Sequence, residues 1–188
     1  MDEIAKYIFE AGMLKRTART GWWAEGVKHP ESVADHSFRT AVIAFILARM
    51  EGLDDAAAER LCTAAIFHDV LEARLSDLNK ITARYIKVDE KLERRVEAEQ
   101  AKGLPAELRR SVLGIPKLSA RERIILKDAD YLECAFQAKE YSDIGYRGAG
   151  TWIGTIAGKL KTKSAKALLA RMKGMESNSW WKGLKKLD

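Results

Sequence analysis

Apolar residues recur at three- and four-residue spacing along nearly all of the 188-residue chain, and period-two alternation over a strand's length is absent. The pattern predicts an all-α domain. A first helix is expected from Asp2 to Lys15, with Ile4, Tyr7, Ile8, Ala11 and Leu14 on one side. Thr17 to Glu31 reads as a polar loop bearing Gly and Trp. Ser32 then looks like an N-cap, with Asp35 three residues on in a capping-box arrangement, and its helix runs through AVIAFILARM to stop at Gly52. Asp54 or Asp55 caps a third helix through Ala56 to Phe67. A short helical turn follows from His68 to about Arg74, then a loop around Ser76 to Lys80. Further helices are expected over Ala83–Ala101, Ala106–Leu113, Ala120–Tyr141, Thr151–Lys161, Ser164–Met172 and Ser179–Leu187, with Gly145 to Gly150 separating two of them. Pro30, Pro105 and Pro116 each sit where a helix would start or stop. Nothing resembles a repeat or a dividing linker, so residues 1–188 read as one domain.

Composition narrows the class. Apolar residues make up 47% and charged residues 32%, a globular balance. The richest apolar stretch, Ala41 to Met50, is about half of the ~18–20 residues a membrane span needs. MDEIAKYIFE carries two acids before its first apolar pair and is no secretory signal, so a cytoplasmic location is expected. Cys62 and Cys134 form no CxxC pair, which excludes a zinc ribbon or a thioredoxin-like motif; both read as buried small apolar residues. The net charge of +6 and pI of about 9.3 suit an anionic substrate or nucleic acid, but the basic residues are scattered. The densest cluster, KGLKKLD, reads as a solvated helix end.

Three segments carry candidate chemistry. In AAIFHDVLEARLSD, His68 stands directly before Asp69. Adjacent helical positions diverge by about 100°, so the two can reach one point only near a helix end or kink. Imidazole and carboxylate together suit a borderline divalent ion such as Mn, Co, Ni or Zn. The dipeptide alone is a weak signal. His36, in ESVADHSFR, has polar neighbours that argue against a simple core histidine. In KDADYLE, Asp128 and Asp130 interrupt an apolar helical pattern, and an acid there is costly unless paired or bound to a cation. Lys127 could reach Asp130 three residues on, but such a pair is worth only about 0.3–0.5 kcal/mol when exposed.

A histidine, then His-Asp, then a distant aspartate, in that order, resembles the HD superfamily of metal-dependent phosphohydrolases, and within it the 5'-deoxynucleotidase branch. LKRTARTGWWAEGVKHPESVADHSFRTAVIA, HDVLEARLSD and KDADYLECAFQAKEY carry the resemblance, which covers roughly Leu14 to Tyr141. It implies an orthogonal all-α bundle, the HD fold. It implies a divalent metal ion held by His36, His68, Asp69 and Asp130, with Asp128 as a neighbour. Four protein ligands can leave positions open for a phosphate oxygen and water. Glu72 lies four residues after His68 and three after Asp69, beside them if the turn is helical; otherwise it is a surface acid paired with Arg74. Glu72 and Asp77 match acids the family uses in catalysis, Glu72 for proton transfer and Asp77 for orienting water or sugar. Arg19 corresponds to a phosphate-contacting arginine, and Trp22 to the matching aromatic against sugar or base; the alternative is that the two merely pin their loop to the core. His29 reads as a surface residue. Where the family often has glycine before the second acid this chain has Ser76, and the loop that follows, LNKITARY, lacks the Thr-Pro steps of some relatives.

The resemblance implies hydrolysis of a nucleoside 5'-monophosphate, a small-molecule nucleotide, to nucleoside and phosphate, in a homodimer; Trp180 and Trp181 are compatible with that assembly. The alternatives are an HD hydrolase acting on nucleoside di- or triphosphates or cyclic phosphodiesters, and a nucleic-acid-binding module. No nucleic-acid motif accompanies the basic charge.

Overall fold

The computed structural model describes residues 1–114 and 117–184. Its helices begin where side chains can satisfy their first N–H groups. Ser32 caps α2 (Val33–Met50) with a full capping box to Asp35. Asp54, not Asp55, caps α3 (Asp55–Phe67), its carboxylate accepting from Ala57 N at 2.8 Å. Ser119 and Glu122 form a second capping box at the start of α7 (Ala120–Asp143). These three helices form the centre. Their shared faces are rich in buried alanine, including Ala44, Ala48, Ala58, Ala65, Ala129 and Ala135, which lets the backbones approach closely, while Leu47, Leu61, Ile125 and Leu132 fill the layer between. Around them lie α1 (Asp2–Ala11), α4 (Glu72–Leu75), α5 (Glu90–Gln100), α6 (Ala106–Leu113), α8 (Gly150–Ala157) and α9 (Lys163–Lys173). There is no strand among the described residues, and none of their helices is long and apolar enough to cross a membrane. The all-α architecture expected from the periodicity is the one observed.

Several boundaries differ from expectation. The first helix stops at Ala11 and tightens into a 3-10 turn over Gly12–Lys15; of its expected apolar side only Leu14 is buried, and Ile8 is exposed. The helix expected from Ala83 is broken. A 3-10 turn at Thr82–Arg84 gives way to an extended stretch, and α5 starts only after Asp89, whose side chain accepts from Leu92 N at 2.8 Å. The helix expected from Ser179 is a 3-10 turn, Ser179–Trp181, and Gly183 at φ 94° turns the chain out of it. Residues 185–187 of that expected helix, and Pro116, lie outside the described residues.

The largest departure concerns Thr17 to Glu31, expected as a polar loop, which is a folded strap. It closes on itself through an isolated bridge between Ala18 and Ser32, with Arg19 N donating to Glu31 O at 3.0 Å and Val33 N to Thr17 O at 2.8 Å. Between them a 3-10 turn, Thr20–Glu25, drives Trp22 into the core at 1% exposure. Its indole stacks on Trp152 (4.4 Å between centroids, 19°) and meets Tyr141 edge-on at 5.1 Å, while Nε1 donates to Glu31 Oε1 at 3.0 Å.

Candidate active site

α3 ends at Phe67, and His68 is its C-cap, so the His-Asp step falls at a helix end, where adjacent side chains can converge. His68 Nδ1 donates to Ala65 O at 2.6 Å, which turns Nε2 inward. That nitrogen is buried and has no hydrogen-bond partner among the described residues. His36, fully buried in the first turns of α2, presents its own Nε2 to the same point, 3.3 Å from Asp130 Oδ1 on α7. Ligand atoms of His36, His68 and Asp130 all lie within 4.8 Å of one another. Asp69 Oδ2 flanks them, 3.1 Å from His68 Nε2 and 3.7 Å from His36 Nε2.

Two imidazole nitrogens and one or two carboxylates facing one point are a donor set for a borderline divalent ion. The orphaned Nε2 of His68 is the specific sign of fit, since a buried acceptor without a donor is costly unless something else meets it. Electrostatics agree. Burial works against a charged His36, yet its bonds to Asp130 and Glu133 hold the imidazole up at about 9. Burial likewise opposes the Asp130 carboxylate, but His36 and Lys127 keep it well below the usual range. Surroundings that hold a proton so firmly on a buried ring favour a cation there. Lys127 does reach Asp130, at 2.6 Å, so the ion pair and the candidate ligand role coexist in one residue.

Glu133, unnoticed in the sequence, is what orients His36. It is fully buried one turn beyond Asp130 and accepts from His36 Nδ1, leaving Nε2 for the cluster. Arg39 holds it there with two hydrogen bonds to Oε1, at 2.9 and 2.7 Å, and anchors itself on Glu140 and Gln137. Its neighbour Glu31, pushed up to about 7 by burial and then by Glu133, stands between Arg39 and Arg19. The one sequence signal for Glu133 is an acid at helical spacing from Asp130 in an apolar pattern.

Glu72 opens α4. The reading that pairs it with Arg74 fails, because Arg74 turns to Glu10. Glu72 Oε2 is buried without a hydrogen bond, and burial together with Asp69 and Asp77 pushes its carboxyl up to about 8. Asp77 is fixed by Thr20, whose backbone N–H and hydroxyl donate to Oδ2 at 2.6 and 3.0 Å. Arg19 stands 3.8 Å from the other oxygen of Asp77 and 3.9 Å from Glu31, longer than hydrogen bonds, so its N–H groups are held in place but not consumed. Arg19, Trp22, Asp77 and Asp130 all line one cavity of about 550 Å³. Trp22 and Trp152, stacked on each other, both line it. Asp128 lies apart from the cluster: it accepts from the backbone of Lys161 and Thr162 and from the Thr162 hydroxyl, pinning the turn into α9. His29 is exposed, and both cysteines are free and half-buried rather than fully buried.

Comparison with known proteins agrees with this architecture. The HD domain family profile matches residues 11–172. The chain is 31% identical over 150 residues to the 5'-deoxynucleotidase HDDC2 of Homo sapiens, spanning 77% of this chain and 71% of that protein. Among solved structures, that of the genomics target APC5600 superposes with a TM-score of 0.82 at 38% identity, covering 96% of this chain and 99% of that one. The coding region AF1432 of Archaeoglobus fulgidus superposes with a TM-score of 0.69 at 34% identity, covering 96% and 100%. With the profile running over most of its length and the histidines and acids gathered as described, the chain belongs to the HD domain family.

Proposed function

We propose that this chain is a phosphomonoesterase that removes the 5'-phosphate from deoxynucleoside monophosphates, giving nucleoside and phosphate. The observation that carries the reading is the inward-facing Nε2 of His68, buried without a hydrogen bond among the described residues and set beside His36 and Asp130 at the edge of a cavity that Arg19 also lines. The 5'-deoxynucleotidase relatives supply the substrate class.

His36, His68 and Asp130, with Asp69 beside them, would hold the divalent ion. Mn, Co, Ni and Zn all suit the donor set. When bound, the ion supplies Lewis-acid polarisation of the phosphoryl group and neutralises charge that builds on it. The chain's own residues do the rest by positioning and electrostatics. Arg19, held between Asp77 and Glu31, offers its guanidinium to the phosphate oxygens, and its planar fork suits two of them at once. Glu72 keeps a proton near neutral pH and can give it to the departing 5'-oxygen, which leaves as an alcohol. Asp77, with Oδ2 occupied by Thr20, has Oδ1 left to orient water or the sugar. Trp22, almost without exposed surface, would act by holding Arg19 and the cavity wall in place.

The enzyme is read as cytoplasmic and homodimeric. Support for the dimer comes from α2, where Phe38, Val42, Phe45, Ile46 and Met50 stay exposed at helical spacing along one side.

A panel of deoxynucleoside 5'-mono-, di- and triphosphates and cyclic phosphodiesters, assayed with Mn, Co and Ni, tests the reaction. Inorganic phosphate from the monophosphates is expected; pyrophosphate or tripolyphosphate as the main product overturns it. Glu72→Ala is expected to keep its metal and lose turnover, and equal activity removes Glu72 from the mechanism.

A further inference from the structure

The cavity gathers basic side chains beyond the arginine assigned to the phosphate. Four basic side chains, Arg19, Lys80, Lys127 and Lys159, line it against two acids, Asp77 and Asp130. Basic groups elsewhere commonly meet an acid, as Lys6 meets Glu3, Arg60 meets Glu122 and Lys139 meets Asp143. Lys80 and Lys159 form no ion pair among the described residues, although both line the cavity. Lys127 and Lys159 bring their ammonium groups to the same ring, 5.0 and 5.1 Å from the Tyr131 centroid. Lys80 stands close enough to Lys159, ahead of burial and Lys127, to weaken its hold on its proton. Asp130, and Asp69 behind it, offset that repulsion at Lys127, but the candidate cation would claim both acids, and neither Lys80 nor Lys159 has an ion pair of its own among the described residues.

We propose that Lys80, Lys127 and Lys159 form a second anion subsite on the Tyr131 side of the cavity, taking an additional phosphate carried by the nucleotide itself. This rests on the nucleotidase reading, because it assumes that the 5'-phosphate is the group at Arg19 and the histidine cluster. Lysines suit such a subsite, since flexible point charges can follow a phosphate whose orientation is not fixed, where Arg19 offers a rigid fork. The ring of Tyr131 and the indole of Trp152, on the same cavity, give the nucleoside an apolar surface. Lys80 and Asn79 also give the LNKITARY loop a role, with Asn79 fixing Thr20 at 3.0 Å and Lys80 turned to the subsite. The extra phosphate has two chemical sources, the sugar 3'-position or the β-position of a 5'-diphosphate.

Equilibrium binding and turnover on the metal-loaded protein distinguish them, using the 5'-monophosphate, the 3',5'-bisphosphate and the 5'-diphosphate of one deoxynucleoside. One doubly phosphorylated ligand is expected to bind at least about tenfold more tightly than the monophosphate, and the arm that gains identifies the source. In Lys80→Ala/Lys159→Ala the gain is expected to fall towards none, and Lys80→Gln/Lys159→Gln repeats the test with the side-chain length largely kept. Equal binding of all three ligands to wild type, or a gain that survives both double variants, overturns the subsite. If the lysine-dependent gain appears but the monophosphate is never hydrolysed, the nucleotidase reading fails and the subsite stands.

Discussion

Ser76 is the non-glycine residue with positive φ among the described residues, at φ 62° and ψ 164°, a conformation open in practice to glycine alone. It closes α4, its N–H donating to Glu72 O at 2.9 Å, and hands the chain directly to Asp77. A side chain in this region costs about 1–3 kcal/mol. Replacing it by glycine removes that cost but loosens the unfolded chain by about 0.4–1 kcal/mol. Ser76→Gly is therefore expected to stabilise the protein by about 1.3 kcal/mol at the middle of these ranges, or roughly 3–5 °C in Tm for a domain of this size. The serine side chain is exposed and makes no hydrogen bond among the described residues that the change would forfeit. Urea unfolding should move the midpoint upward with the slope unchanged. Ser76→Ala, which keeps Cβ, serves as the control and should give no gain. Activity should persist in Ser76→Gly, because Asp77 is held by Thr20 and not by the strained residue. A neutral or destabilising Ser76→Gly, or an alanine variant that gains as much, refutes the strain argument.

Glu133→Gln should weaken binding of Co or Zn by about 10–100-fold, read by competition with a chelator, because the carboxylate behind His36 is replaced by a neutral, weaker acceptor. Replacement of Phe45 by Asp on the exposed side of α2 should convert a dimer to monomer in light scattering; an unchanged mass places the interface elsewhere. Burial pushes the Cys134 thiol up to about 12, so alkylation of that cysteine should be negligible at pH 8 and rise only as pH approaches that value; peptide mapping after iodoacetamide reads this directly.

The parts of this fold that are legible in the sequence are those settled within a few residues of one another. The Ser32 cap with Asp35, and the end of α3 at the His-Asp step, depend on neighbours along the chain. Asp89 shows how a local signal can still be overrun: a helical apolar pattern on either side hides a cap in the middle. What stays hidden is tertiary. Glu133 meets His36 across 97 positions, and Thr20 meets Asp77 across 57, so neither partnership leaves a periodic trace. Trp22 is visible as an aromatic in the right place, but its burial depends on Trp152 and Tyr141, which lie far along the chain. Ser76 is conspicuous in the sequence only through the resemblance, which implies glycine at that place.

Asp128 sets a lower bound on how short a working version of this enzyme can be. It sits at 1% exposure in α7, the helix that also bears Asp130, and its donors come from Lys161 and Thr162. A chain cut at the last recognisable motif, near Tyr141, would strand that carboxylate without donors, a defect of several kcal/mol in a central helix. The tail that bears no signature is thus what satisfies the buried acid in the signature-bearing rod.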